Sequence, residues 1–253
     1  MANYATFILV IAGFLAGFVD SIVGGGGLIS LPTLLALGFP PNLAIGSNKI
    51  IGVAASGASS LRYGLAGKID WKLLIPMTLS AFIFSLFGAF AATHANPNFL
   101  KPFSFIMLVL VAGYAFTKKD WGLVTSQERL THPMAKVLIG GTIGFYDGFF
   151  GPGTGTFLMA AFILLFGKEL LQASANSRLI NYASNIGALI VFVSLKNIDF
   201  YAVWPAAIAS FIGSTTGASV SLKIGARLIK PIFMLIVSLL IVKIGFDLFA
   251  SFN

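Results

Sequence analysis

Two short polar motifs, each ending in a cation, stand inside long apolar stretches of the chain. One ends at Lys49 and the other at Arg178. Ammonium, guanidinium, amide and hydroxyl groups all donate hydrogen bonds, and those from a cation to an anion are the strongest. The motifs therefore predict a binding site for an oxyanion, with these residues as its lining: Ser47, Asn48, Lys49, Asn176, Ser177 and Arg178. The alternative is that each cation extends from a helix end to the membrane surface.

Two aspartates, Asp20 and Asp147, each precede a glycine-rich segment. Ionisable groups at membrane depth are costly and are functional hypotheses by default. A carboxyl group there could accept and release a proton during transport, so both residues are candidates for proton coupling. Each could equally cap the short helix that follows or neutralise the nearby cation.

The two glycine-rich segments read GGGG at 24–27 and GPGTG at 151–155. Glycine in a helix interior costs about 1 kcal/mol relative to alanine, so we expect the helix to open there. The freed N–H groups need protein, water or a ligand inside a bilayer, and at a helix start they attract anions. We therefore predict that these segments line the ligand site through Gly24, Gly25, Gly26, Gly27, Gly151, Gly153, Thr154 and Gly155. Tight helix packing is the alternative, and it is the interpretation we favour for Gly13, Gly17, Gly140 and Gly144.

Asn181 and Asn185 continue from Arg178 at near-helical spacing and extend the predicted polar lining. The equivalent positions in the first half are Gly52 and Ser56, which are less polar. We therefore expect an asymmetric site.

The chain repeats itself. A shift of 127 aligns Asp20 with Asp147, and a shift of 129 aligns Lys49 with Arg178. Further pairs under the first shift are Gly13/Gly140, Gly17/Gly144, Phe18/Phe145, Gly24/Gly151 and Gly26/Gly153. A duplicated membrane unit with interrupted helices is the plan of many secondary transporters.

Composition indicates an all-α polytopic membrane protein. Of the 253 residues, 57% are hydrophobic and 9% charged, and the mean hydropathy is +0.94. Soluble chains are about 25% charged. Apolar runs near the roughly 20 residues that cross a bilayer predict helices. The absence of cysteine excludes disulfides and thiolate sites. The net charge of +8 is spread over short connections, so we expect no nucleic-acid partner.

Each half is predicted to contain five elements, at about 4–23, 28–38, 43–66, 72–93 and 98–117, then 136–150, 156–166, 170–195, 200–222 and 231–250. The polar stretch 118–135 separates the halves. We divide the chain into a first repeat at 1–120, a cytoplasmic linker at 121–134 and a second repeat at 135–253.

The direction of the second repeat depends on whether the first helix and the short segment count as one crossing. With the linker in the cytoplasm, inverted repeats place Lys223, Arg227 and Lys230 there too, whereas parallel repeats place them outside. Because positive charge concentrates on the cytoplasmic side, we favour inverted repeats with both termini outside and a glycine-broken helix near the membrane midplane in each.

No nucleophile–base–acid set and no metal-ligand cluster is visible in the sequence. We therefore expect no enzyme activity, no cofactor and no metal, and the expected partners are a small anion and the lipid bilayer. The sequence leaves a homo-oligomer open.

The motifs together resemble the TauE/SafE sulfite exporter family. They are GFVDSIVGGGG at 17–27, LP at 31–32, AIGSNK at 44–49 and GKIDW at 67–71, followed by GFYDGFFGPGTG at 144–155 and NYASN at 181–185. The resemblance covers essentially the whole chain. It implies transport of small sulfur-containing anions such as sulfite, sulfoacetate, other organosulfonates or thiosulfate.

The hypothesis from the sequence is therefore a secondary transporter in the cell's inner membrane that exports a small sulfur-containing anion, with proton coupling through Asp20 or Asp147. The alternatives are a passive anion channel and a transporter of a non-sulfur organic anion.

Overall fold

The computed structural model describes residues 2–94 and 122–250, together with Ile106 and Val109. Every regular element in these residues is an α-helix. The helices are α1 (Ala2–Val23), α2 (Gly27–Ala36), α3 (Pro41–Leu65), α4 (Trp71–Ala92), α5 (Pro133–Phe149), α6 (Thr154–Leu164), α7 (Leu170–Ser194) and α8 (Phe200–Ala250). The all-helical chain fits a helical membrane protein.

Local sequence signals explain where these helices begin. Pro41 and Pro133 stand in the first turns of α3 and α5, where a missing N–H costs nothing. Asp70 caps α4 by accepting a hydrogen bond from the Leu73 N–H at 3.3 Å, and Asp199 caps α8 by accepting from the Ala202 N–H at 3.0 Å. These two aspartates therefore have a capping role.

The predicted helix ends agree with the observed ones to within three residues, with one exception. We expected separate helices at 200–222 and 231–250, and this is confirmed, because the range α8 contains two helices divided at Gly225, whose φ of 67° and ψ of 179° are not helical. The residues 226–230 read ARLIK and are mostly strong helix formers, so the second of these helices begins directly after Gly225 and not at 231. The helix predicted at 98–117 lies outside the described residues, apart from Ile106 and Val109.

The first helix of each half packs closely on a helix of the other half. A Cβ built on Gly13 or Gly17 of α1 would lie under 3.0 Å from the backbone of α8. A Cβ on Gly140 or Gly144 of α5 would meet the backbone of α4 equally closely. The packing interpretation of these four glycines is confirmed, since only glycine permits such close approach.

The directions of the central helices follow from their contacts. Gly52 of α3 lies against Asn185 of α7, and Gly57 lies against Tyr182, so residue numbers rise along α3 as they fall along α7. These two helices therefore cross in opposite directions.

Helix α8 runs in the same direction as α3, because the hydroxyls of Ser210 and Ser214 donate to the carbonyl oxygens of Ile51 and Ala55, at 3.3 and 2.5 Å. Helix α1 also runs parallel to α8, since Gly13 meets Ala206 and Gly17 meets Ser210. Helices α1, α3 and the start of α8 thus share one direction.

Large apolar side chains cover the outside of the bundle. Phe7 of α1 and Phe87 of α4 are 63% and 60% exposed. The segments Tyr4–Val23 and Trp71–Ala92 are long and apolar enough to cross a membrane. Extensive apolar exposure is rare on soluble monomers and is expected where lipid covers the surface.

Candidate functional site

A small polar cavity lies where both interhelical junctions meet the middle of α3 and α7. We define the first junction as residues 24–26, between α1 and α2, and the second junction as residues 150–153, between α5 and α6. The cavity has a volume of about 30 Å³. Its lining consists of Ala16, Asp20, Gly25, Gly26, Gly27, Ser30, Asn48, Lys49, Ile51, Gly52, Ala55, Asp147, Gly151, Gly153, Thr154, Gly155, Asn181, Asn185 and Ser210. This volume holds one or two water molecules.

Both junctions depend on glycines with positive φ. In the first junction φ is +83° at Gly24 and +88° at Gly25, and in the second it is +95° at Gly151 and +89° at Gly153. Side chains other than glycine rarely adopt these angles. The chain reverses at each junction, and the first turns of α2 and α6 start beside the cavity, where their free N–H groups favour an anion.

An ion pair joins the two halves at one side of the cavity. Lys49 Nζ lies 3.0 Å from Asp147 Oδ1 and also donates to the carbonyl oxygen of Asp147. The same carboxylate accepts hydrogen bonds from Thr154 Oγ1 at 3.1 Å and from Ser184 Oγ at 2.5 Å. Lys49 is 1% exposed and Asp147 2%.

A second ion pair joins the halves in the opposite sense. Arg178 Nη1 lies 3.0 Å from Asp20 Oδ2 and also donates to the carbonyl oxygen of Asp20. The Gly26 N–H donates to Asp20 Oδ1 at 3.2 Å, so this carboxylate also binds the backbone of the first junction. Arg178 has no exposed surface.

These contacts decide between the alternatives that the sequence left open. Neither Lys49 nor Arg178 reaches a membrane surface, so that alternative is wrong. Each cation is neutralised by the aspartate of the other half, because an unpaired charge at this depth would be strongly destabilising. The pairing was foreseen as one role of the aspartates, but the exchange of partners between halves was not.

Most of the predicted site residues come together at the cavity, and five do not line it: Gly24, Ser47, Asn176, Ser177 and Arg178. Ser47 Oγ accepts from the Asp199 N–H and Asn176 Oδ1 from the Asp70 N–H, each at 3.0 Å. These two side chains thus fasten the start of α8 to α3 and the start of α4 to α7.

Sequence reasoning missed several polar residues near the cavity. Ser30 Oγ donates to Asn48 Oδ1 at 2.5 Å, and Tyr146 OH donates to the Pro152 carbonyl at 2.6 Å. Ser184 lies three residues after Asn181, and this helical spacing was a usable signal for a shared face. Ser30 has an equally usable signal, because it stands one turn after the first junction.

The cavity is asymmetric, as expected. Asn181 and Asn185 line it from α7, whereas α3 contributes Gly52 and Ala55 at the same depth. A Cβ on Gly52 would lie 2.6 Å from Asn185 Oδ1, so the small residue on one side makes room for the amide on the other. Among the described residues, no group of three or more His, Cys, Asp or Glu side chains could hold a metal ion.

Comparison with known proteins agrees with this architecture. A family model described as sulfite exporter TauE/SafE matches residues 9–244, which is nearly the whole chain. The chain belongs to the TauE/SafE family. The resemblance inferred from the motifs is thus confirmed.

Relatives within the TauE/SafE family are similar over most of their length. A probable membrane transporter protein, ORF9, from a Sinorhizobium species is 34% identical over 98% of this chain and 95% of its own. The probable membrane transporter protein YfcA of Escherichia coli K12 is 32% identical over 95% of this chain and 89% of its own. A probable membrane transporter protein of Haemophilus influenzae is 30% identical over 95% and 94%. Membership of this family identifies the chain as a membrane transporter.

Proposed function

We propose that this protein is a secondary transporter that exports a small sulfur-containing anion, with sulfite, sulfoacetate and other organosulfonates as the candidate class. The observation that carries the proposal is the polar cavity between two ion pairs that each join the two halves of the chain. A transporter needs a binding site that can open to either side of the membrane. A site whose walls come from both halves can open in this way when the halves move relative to each other.

The cavity chemistry supports an anion. Lys49 supplies a charge, and the first turns of α2 and α6 supply backbone N–H groups. The amides of Asn181 and Asn185 add further polar groups on one side. Sulfonate and sulfite oxygens accept several such bonds at once. Because the cavity holds only one or two waters, an anion of this size requires the walls to move apart.

Charge balance supports proton coupling. The cavity already contains a neutral pair of Lys49 and Asp147, so a bound monoanion adds one uncompensated negative charge in a region of low dielectric. One proton on Asp147 restores neutrality and frees Lys49 for the anion. Asp20 is the equivalent candidate beside Arg178.

Helix directions and surface charge support inverted repeats. Equivalent helices α3 and α7 cross in opposite directions, as an axis in the membrane plane requires. Lys168 of the α6–α7 loop binds Asp70 at 2.7 Å, and Gly167 of the same loop accepts from the Ser126 N–H of the linker at 2.8 Å. The α3–α4 turn, this loop and the linker thus lie at one end of the bundle.

That end carries many basic residues, including Lys68, Lys72, Arg129, Lys136 and Lys168. The positive-inside rule makes it cytoplasmic. Since α1 runs parallel to α3, its N-terminus lies at the opposite end, which we assign to the outside. The structure around both junctions supports placing them within the membrane, where α1 and α5 each meet a short helix.

The test is transport by the purified protein in proteoliposomes. Vesicles loaded with unlabelled sulfite are diluted into labelled sulfite, and uptake by counterflow is measured at several pH values. We expect labelled sulfite to accumulate transiently, and an imposed proton gradient to change the rate. Sulfoacetate, thiosulfate, sulfate, phosphate and acetate serve as competing anions.

The variant with both Lys49→Gln and Arg178→Gln is the negative control, and we expect it to lose counterflow. Anion flux without counterflow but with unitary currents would indicate a channel instead. Competition by acetate alone would indicate a non-sulfur organic anion. Unchanged sulfite affinity in the double variant would refute the assignment of the site.

A further inference from the structure

The two ion pairs are equivalent in sequence, but their cations have different surroundings. Lys49 Nζ has two acceptors, both on Asp147, and Lys49 lines the cavity. Arg178 donates to Asp20, to Ser177 Oγ at 2.8 and 3.2 Å and to the Ser174 carbonyl at 3.4 Å. Among the described residues that form the cavity wall, Arg178 is absent. One cation therefore faces the cavity and the other is fixed behind it.

The two aspartates differ in the same sense. If Lys49 moves away, Asp147 keeps the hydroxyl groups of Thr154 and Ser184, one on each carboxylate oxygen. If Arg178 moves away, Asp20 keeps only the Gly26 N–H on Oδ1, and Oδ2 has no hydrogen bond in the described structure. Leaving a buried charged oxygen without a partner is strongly unfavourable. The first pair can therefore separate at a lower cost than the second.

Arg178 also lies where the first junction touches the first turn of α6. A Cβ built on Gly155 would be 2.6 Å from Arg178 Nη2 and 2.8 Å from the Cα of Gly24. The guanidinium thus packs behind the contact between the first junction and the first turn of α6. Its planar group with five donors suits this holding role, whereas the single ammonium of Lys49 can turn towards a ligand.

We propose that the transported anion binds to Lys49 in exchange for Asp147, and that Arg178 is a positioning residue that stays paired with Asp20. This division of roles rests on the proposed function and refines it. The anion takes the place of the Asp147 carboxylate on the Lys49 ammonium, while the Arg178–Asp20 pair keeps the first junction against α6 in both loaded and empty states.

The experiment compares matched variants of the full-length protein with sulfite as the probe. We expect Lys49→Gln to lower sulfite affinity about 30-fold or more, because a desolvated charge contact to the ligand is lost. We expect Arg178→Lys to leave the half-saturating sulfite concentration unchanged while lowering both the maximal counterflow rate and the melting temperature of the unliganded protein. If Arg178 had only a structural role, Arg178→Lys would lower the melting temperature, but it would not lower the maximal rate independently of the half-saturating sulfite concentration.

If Arg178→Lys does not fold, Ser177→Ala replaces it, because that change removes the hydroxyl that accepts from two guanidinium nitrogens. Wild-type sulfite affinity in Lys49→Gln would overturn the inference. So would a raised half-saturating concentration in Arg178→Lys or Ser177→Ala at an unchanged melting temperature. If the wild-type protein itself binds no sulfur anion in the panel, the proposed function fails first, and the two failures are thereby distinguished.

Discussion

The two junctions differ in backbone conformation and in the contacts that stabilise them: φ is positive at Gly24 and Gly25 in the first and at Gly151 and Gly153 in the second, whereas Gly26, the equivalent of Gly153, has a φ of −52°. The first is held mainly by backbone packing, since a Cβ on Gly24 would lie closer than 3.0 Å to the Thr156 nitrogen and to the Gly155 backbone, and the side chains of Asp20 and Ser30 add hydrogen bonds to Gly26. The second is held by side chains, through Tyr146 OH on the Pro152 carbonyl and Thr154 Oγ1 on Asp147. The two copies of the repeat thus follow different backbone paths, one stabilised mainly by close packing and the other mainly by side-chain hydrogen bonds.

This difference explains the divergence of the two motifs. A Cβ on Gly24 would clash with the backbone of α6 and one on Gly26 with the Ala16 carbonyl of α1, whereas Gly27 has space for a Cβ at ordinary contact distance. In the second copy the positive φ angles fall at Gly151 and Gly153, so position 152 can be proline, and Thr154 already lies in the first turn of α6. The first junction should therefore be sensitive to added volume, and the second to lost hydrogen bonds.

The largest effect is expected for Gly24→Ala. The substitution combines a φ of +83° with a backbone clash against α6, so it should destabilise the protein by about 3 kcal/mol or more. The control is Gly38→Ala, where φ is +87° but nothing lies within 4 Å, and the expected cost is about 1 kcal/mol. The melting temperature in detergent measures both. Equal losses would mean that backbone strain, and not packing, fixes the first junction.

A smaller effect is expected for Ser184→Ala beside the second junction. This change removes the donor to Asp147 Oδ2 at 2.5 Å and leaves a buried carboxylate oxygen unsatisfied, at a cost of about 1–3 kcal/mol. Ser194→Ala in the same helix is the matched control, since that hydroxyl is exposed and bonds only the Val191 carbonyl. A melting temperature that falls equally in both variants would contradict the idea that side-chain bonds hold this junction.

Tyr146→Phe should have a weaker effect. It removes one hydrogen bond to the Pro152 carbonyl while keeping the ring packing against Phe150 and Phe157, so we expect a loss of about 1 kcal/mol. Tyr4→Phe, at a side chain that is 72% exposed, should change nothing measurable. If Tyr146→Phe costs as much as Gly24→Ala, the contrast between the junctions is wrong.

Much of the fold could be predicted because hydropathy and glycine placement are local signals. Neighbouring residues were enough to predict the helix ends, the packing of Gly13 and Gly17, and the capping by Asp70 and Asp199. The division of α8 into two helices was also predicted, although the second helix begins directly after Gly225 and not at 231.

The residues of the candidate site could be predicted from the sequence, but the contacts between them could not. The residue types identified Lys49, Arg178, Asp20 and Asp147, and the repeat linked each with its equivalent. Which aspartate pairs with which cation depends on how α1 and α5, which carry the aspartates, are placed against α3 and α7, and no local pattern encodes that placement. For the same reason the sequence could not reveal that Lys49 lines the cavity while Arg178 lies behind it.

The smallest effect is expected at the end of the bundle, where the halves meet through Lys168 and Asp70 at 2.7 Å. Partial burial raises the pKa of Asp70, but hydrogen bonds from Lys168 and the Leu73 N–H and the charge of Lys168 outweigh it, so the net pKa falls below the usual 3.8. A lowered folded-state pKa means that the stabilisation is complete above about pH 3.8 and disappears as the pH falls through the folded value.

Because Asp70 is 37% exposed, the ion pair should contribute under about 1 kcal/mol. Asp70→Asn should therefore lower the melting temperature slightly at pH 6, and the difference from wild type should shrink as the pH falls progressively below 3.8. Asp199→Asn is the matched control, since Asp199 caps α8 without an ion pair in the described structure. A pH-dependent loss of the same size in both variants would show that capping, and not the contact between halves, produces the effect. A loss confined to Asp70→Asn would show that the ion pair between Lys168 and Asp70 stabilises the contact between the halves at this end of the bundle.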